Sequence, residues 1–242
     1  MTAATLRALH HGRAAGDPLV LPGPWDAASA RVFAEAGFPA LATPSAGVSA
    51  ALGYADGQAP PAEMFAALAR ITRAVEVPVT ADVEAGYGLP PAELVVRLLE
   101  AGAAGCNLED SDPATGQLRD PGEQADYLAV VRAEAGDALF INARVDTYLR
   151  GVTGLDQALD RARRYTEAGA DCLYPILASP GQLAEFATAV TLPVNAIALP
   201  TGPTPRELGE LGAARITFGG GLHRKAMTAL ADSARELRAA CC

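Results

Sequence analysis

Apolar positions along this chain fall into short β-branched runs that alternate with longer stretches of helical spacing. The clearest run covers residues 77–84, bounded by Pro78 and a glycine-rich turn, and it predicts a buried parallel strand. The same pattern predicts strands over 19–24, 39–43, 105–110, 139–146, 172–177, 194–199 and 215–219. Helical spacing predicts helices over 27–36, 61–75, 90–101, 123–135, 155–168, 181–190, 205–211 and 223–240. Asp26 is placed to cap the first helix, and Gly37, Gly102 and Gly169 to close helices. Residues 1–17 read as a polar lead-in that carries His10 and His11 at the surface, and 44–49 as a loop of small residues. Eight strands alternating with eight helices is the pattern of a (β/α)₈ TIM barrel, here one domain spanning residues 1–242. No Gly-x-Gly-x-x-Gly follows the first strand, which disfavours an open doubly wound sheet.

Parallel barrels carry their chemistry at the carboxyl ends of the strands. Polar residues expected there are Trp25, Asp26, Thr43, Ser45, Asp82, Glu84, Glu109, Asp110, Arg144 and Asp146, all from the first five strands. Asp82 and Glu84 lie two apart on one strand and so face the same side, where two carboxylates repel unless a cation or proton separates them. Asp82, Glu84 and Glu109 therefore point to a hard divalent metal. The small residues Ser45, Ala46 and Gly47 let backbone N–H groups approach an anion. Arg144 has two readings, an ion pair with one of these carboxylates or a fork that clamps a substrate carboxylate. His223 reads as a capping or solvent residue, or as an acid–base group. The last three strands are expected to leave their side of the mouth apolar or open, with Ile176 and Ile197 at strand ends.

Composition narrows the partners. With 28 acidic and 19 basic residues, a formal charge of −9 and no basic cluster, nucleic acid and anionic membranes are not expected. No apolar run approaches the roughly 20 residues of a membrane span, so a cytoplasmic protein is expected. Cys106 and Cys172 read as buried free thiols, and the terminal Cys241-Cys242 pair lacks the polybasic segment of a lipid anchor.

Several motifs together resemble the isocitrate lyase and phosphoenolpyruvate mutase superfamily over about residues 21–226. They are Trp25-Asp26-Ala-Ala-Ser29, Ser45-Ala-Gly47-Val-Ser, Leu52-Gly53-Tyr-Ala-Asp56, Asp82-Val-Glu84-Ala-Gly-Tyr-Gly88, Asn107-Leu-Glu109-Asp110 and Asn142-Ala-Arg144-Val-Asp. The resemblance implies a barrel that binds Mg²⁺ or Mn²⁺, usually as a homo-oligomer (dimer or tetramer) with the last helix often exchanged between subunits. It implies that Asp82 touches the metal directly while Asp56, Glu84 and Glu109 hold metal-bound waters. It also implies that Ser45, with the N–H groups of Ala46 and Gly47, cradles the carboxylate of a 2-oxo acid that Arg144 clamps, beside Trp25 and Thr43.

The chain departs from that pattern after Glu109. Cleaving members carry a Lys-Lys-Cys-Gly-His loop with a proton-transferring Cys, whereas Asp110 to Arg119 holds no Cys, Lys or His. Water, Tyr54, Tyr87 or Asp110 would have to take its place. The Lys of the phosphonate-processing branch is absent too, leaving Thr115, Gln117 and Arg119. The leading expectation is a Mg²⁺-dependent lyase that cleaves a C–C bond in a small 2-oxo or 2-hydroxy di- or tricarboxylate. Oxaloacetate, 2-methylmalate and 2-methylisocitrate are the candidates. The alternatives are phosphonopyruvate-type C–P mutase or hydrolase chemistry, and a non-catalytic barrel that binds a 2-oxo acid.

Overall fold

A parallel strand must be followed by a connection that carries the chain back along the sheet, and a helix with one apolar face does this while covering the strands. In the structure, a computed structural model that describes residues 2–241, this unit repeats around a closed barrel. The elements begin with α1 (Ala3–Leu9), β1 (Leu19–Val20), α2 (Ala27–Glu35), β2 (Leu41–Thr43), α3 (Ser45–Leu52), α4 (Pro61–Thr72), β3 (Val79–Asp82), α5 (Pro91–Glu100) and β4 (Gly105–Leu108). They continue with α6 (Pro121–Ala135), β5 (Phe140–Val145), α7 (Leu155–Glu167), β6 (Cys172–Pro175), α8 (Pro180–Ala189), β7 (Asn195–Ile197), α9 (Pro205–Glu210), β8 (Arg215–Thr217) and α10 (Gly221–Ala240).

Strands β2 to β6 form one parallel run and β7-β8-β1 another. The two runs join where Ala42 N–H donates to Pro22 O (3.1 Å) and Leu173 N–H donates to Pro193 O (3.0 Å), which closes the ring. The predicted (β/α)₈ barrel is therefore the fold.

Strand alternation divides the apolar residues into two cores. The larger lies between strands and helices and includes Leu41, Ile71, Val79, Leu98, Ile141 and Phe186. The smaller fills the barrel's lower end with Leu19, Leu21, Ala40, Ala42, Ala104, Phe140 and Cys172. Gly105 belongs to this crowded floor: a Cβ there would stand 2.5 Å from Phe140 O.

The lower end is sealed by α1, which corrects the expectation of a polar lead-in over residues 1–17. Thr2 caps α1, and Leu6 is wholly buried in the inner core. Arg7 Nε donates to Asp171 Oδ1 at 2.8 Å, while Arg132 holds the other oxygen of the same carboxylate. His10, expected at the surface, is buried and stacks on Phe140 with ring centroids 4.2 Å apart. The apolar spacing of Leu6 and Leu9 is the signal that the polar flanking residues masked.

Residues 45–49, expected as a loop, are the start of α3. A second helix, α4, follows before β3, so two helices separate β2 from β3 where one was expected. Cys106 and Cys172 are buried free thiols, Cys241 is exposed, and the reading of Cys242 lies outside the described residues. No helix among the described residues is long and apolar enough to cross a membrane.

Candidate active site

At the carboxyl ends of the strands a cavity of about 560 Å³ opens, lined by Thr43, Ser45, Ala46, Asp56, Asp82, Asn107, Glu109 and Arg144 among others. A second hollow of similar size, about 550 Å³, lies on the outer surface between α7 and α8, away from every strand end. The barrel mouth, where charge and backbone donors converge, is the candidate site.

Asp82 ends β3. Its Oδ2 accepts from Ser45 Oγ (3.2 Å) and its Oδ1 from Glu84 N–H (3.2 Å). Strand geometry does not extend to Glu84, so strand alternation is not what sets its direction as expected. Glu84 has φ 52 and Tyr87 φ 55, left-handed values that turn the chain sharply around Asp82. Glu84 still crowds the same carboxylates. Burial, then repulsion from Asp82 and Asp56, pushes Glu84 up to about 7. Burial pushes Glu109 up to about 8, Arg144 opposing and Asp82, Asp146 and Glu84 adding to the rise. Asp82 is raised for the same first reason, against the pull of Arg144.

Arg144 makes the ion pair of its first reading and also faces the cavity, where its second would place a substrate carboxylate. Nε donates to Asp146 Oδ1 at 2.8 Å and Nη1 donates to Glu109, so the guanidinium is ion-paired, yet it lines the cavity. Burial works against its charge, but Asp146, Glu109 and Asp82 outweigh it and hold the group charged. Asp146 is held in turn by Ser111 Oγ (2.7 Å), which accepts from Arg150 Nε (2.9 Å). That relay aims Arg150 at the cavity mouth, where Arg224 from α10 also stands. The mouth is therefore not apolar or open on its later strands. Ile176, Leu177 and Ile197 do line it, but Arg150 from the loop after β5 and Arg224 from the first turns of α10 add two cations.

Ser45, Ala46 and Gly47 form the first turn of α3. Pro44 offers no side-chain cap, so the first N–H groups of the helix stay free beside the cavity and favour an anion there. Gly47 is required by its neighbours, since a Cβ would meet Pro44 Cγ at 2.9 Å and His223 Cβ at 3.4 Å. Trp25 packs edge-on to His223, with centroids 5.2 Å apart, so both support this wall from behind.

Other predicted residues have different employment. Tyr54 donates its hydroxyl to Glu63 (2.6 Å) in an exposed pair and does not line the cavity. Tyr87 packs on Phe65, behind Asp82, and its hydroxyl lies 3.5 Å from Asp82 O. Asp110 is sealed, taking the Tyr165 hydroxyl (2.7 Å), Arg161 Nη1 (2.9 Å) and Asp146 N–H (2.8 Å), which makes it a brace. Thr115 and Gln117 sit in an exposed turn, and Arg119 donates to Gln124 Oε1. The sequence reading overlooked Arg150, Arg224 and Arg215. A cation in the loop after β5 was the available signal for Arg150, one at the start of the last helix for Arg224, and a charge inside a strand for Arg215.

This geometry gathers carboxylates, arginines and a helix N-terminus around one cavity at the mouth of an α/β barrel. The sequence model of the phosphoenolpyruvate phosphomutase family matches residues 6–238. The chain is 32% identical over 203 residues to the 2-methylisocitrate lyase of Escherichia coli, covering 78% of this chain and 68% of that protein. It is similar to a crystal structure from Burkholderia cenocepacia described provisionally as a phosphonomutase, with 46% identity, TM-score 0.89, and 97% and 99% of the two chains covered. It is also similar to oxaloacetate acetylhydrolase solved with the product oxalate, with 25% identity, TM-score 0.88, and 98% and 86% covered. The chain belongs to the isocitrate lyase and phosphoenolpyruvate mutase superfamily and is an enzyme of that superfamily of lyases and mutases.

Proposed function

We propose that this enzyme is a Mg²⁺-dependent carbon–carbon lyase of small 2-oxo or 2-hydroxy di- or tricarboxylates, acting in the cytoplasm by retro-aldol cleavage or decarboxylation through an enolate. The observation that carries this reading is the convergence of Ser45, Asp82, Glu109 and Arg144 on one cavity at the barrel's catalytic end. The names of the related enzymes, acting on 2-methylisocitrate and oxaloacetate, support the substrate class.

The donors fit a hard cation, because all are carboxylate oxygens. Among the described residues no three His, Cys, Asp or Glu side chains stand close enough to share a metal ion directly. The set therefore fits one direct contact at Asp82, with Asp56, Glu84 and Glu109 reaching through water, as Mg²⁺ keeps several waters. When bound, Mg²⁺ (or Mn²⁺) supplies positive charge to an oxygen that becomes negative as the bond breaks. The chain does the rest. Ser45 and the α3 N-terminus bind one carboxylate, and Arg144 orients it from a position fixed by Asp146 and Glu109. Arg150 and Arg224 receive a second anionic group. Burial pushes the Tyr174 hydroxyl up to about 12, so it stays protonated as a donor facing the cavity.

Arg150 and Arg224 would hold a phosphonate as readily as a carboxylate, which gives C–P chemistry on phosphonopyruvate specific support as a second reading. A coupled assay over oxaloacetate, 2-methylmalate, 2-methylisocitrate and phosphonopyruvate, with Mg²⁺ and then excess chelator, separates the two. Chelator-sensitive release of a 2-oxo acid, glyoxylate or oxalate from one carboxylate substrate is expected. Phosphate release from phosphonopyruvate alone would replace the lyase reading. We also propose a homo-oligomer, supported by the exposed apolar side chains of α10.

A further inference from the structure

Asn107 lies between two strands of the site, in register with Asp82 on β3 and Asn142 on β5. Its side chain lines the cavity, yet its Oδ1 is occupied from below by Arg215 Nη2 (3.0 Å) and Asn142 Nδ2 (2.8 Å). A guanidinium has donors and no acceptor, so the amide oxygen must face Arg215. Its orientation is thereby decided. The Nδ2 group has no protein acceptor among the described residues and is not among the sealed polar atoms that lack a partner, so it is the end that meets the cavity.

Arg215 itself has no structural justification in its charge. Among the described residues it is the largest wholly buried side chain, no carboxylate bonds it, and its Nε and Nη1 have no protein partner. Stability alone would place an apolar residue there, because a buried cation without an ion pair is costly. What Arg215 does accomplish is to fix one amide beside Asp82.

We infer that Asn107 is a substrate-contacting residue of this site, its amide locked by Arg215 and Asn142 so that Nδ2–H donates to a ligand oxygen held beside Asp82. This rests on the proposed function. A fixed donor favours an oxygen that gains negative charge, a carbonyl passing to an enolate, because no reorientation is needed as the charge develops. Arg215 and Asn142 are positioning residues that act through Asn107.

The test uses Asn107→Asp, which keeps the shape, offers Arg215 a carboxylate partner, and removes the donor. Oxalate binding at saturating Mg²⁺, by calorimetry, is read beside the melting temperature. We expect a melting temperature equal to or above that of the parent and oxalate affinity reduced about tenfold or more. Arg215→Met, which frees the amide to turn, is expected to reduce the affinity severalfold. Oxalate binding within twofold of the parent in Asn107→Asp, while Asp82→Ala loses it, would overturn the contact and leave the site reading intact. Unchanged binding in Asp82→Ala would overturn both.

Discussion

Asp82 concentrates the electrostatics of the mouth in one side chain. Its burial disfavours the charge and Glu84, Glu109 and Asp56 crowd it, while Arg144, followed by the hydrogen bonds from Glu84 N–H and Ser45 Oγ, compensates. Asp82→Ala is therefore expected to abolish Mg²⁺-dependent oxalate binding in calorimetry without lowering the melting temperature, since it relieves repulsion and breaks only two long hydrogen bonds. Normal metal-dependent binding by this variant would remove the metal assignment. Asp82, Ser45 and Arg144 were legible as single residues because strand ends in a parallel barrel announce themselves. Asn107 was not, since an asparagine in an apolar run carries no sign of the arginine that orients it. Arg215 lies 108 positions further along the chain.

At the level of elements, α1 is the piece the pattern concealed and the one with the clearest pH signature. His10 Nδ1 donates to Leu6 O (2.7 Å), and burial followed by the charge of Arg215 lowers the ring to about 3. The unfolded chain binds this proton near pH 6.5, so the folded state holds fewer protons between about pH 6.5 and 3. The contribution of neutral His10 is complete above pH 6.5 and is lost as the pH falls through that window, by up to about 1.4 kcal/mol per pH unit. His10→Gln keeps a donor for Leu6 O and does not titrate. Urea melts at pH 7.5 and pH 4.5 are expected to differ less for the variant than for the parent; an equal difference would show that α1 does not govern the acid limb.

For the whole molecule, α10 is the conspicuous feature. It runs for 20 residues with none buried, and Met227, Leu230 and Leu237 are 41%, 61% and 68% exposed along one side. A stripe of this kind on the last helix suits contact with a second copy of the chain. Leu230→Glu combined with Leu237→Glu is expected to shift the protein toward monomer in light-scattering chromatography while its far-ultraviolet spectrum stays unchanged. A parent that already runs as a monomer would end the oligomer proposal.

The sequence by itself determined the barrel, because short β-branched apolar runs alternating with helical spacing admit few other folds, and it determined which carboxylates stand at the strand ends. It also singled out Ser45 and Ala46, which line the cavity from the first turn of α3. Three matters were decided only in three dimensions. Within the expected lead-in, Ala3–Leu9 became a helical plug because Leu6 and His10 found a floor of Leu19 and Phe140 to cover. Tyr54 and Asp110 left the list of proton carriers once Glu63, Tyr165 and Arg161 claimed them. The cations Arg144, Arg150 and Arg224 gathered at one mouth from three places in the chain. Periodicity reports which face of an element is buried; which polar partner waits there depends on contacts far apart in the chain, and those exist only after the ring closes.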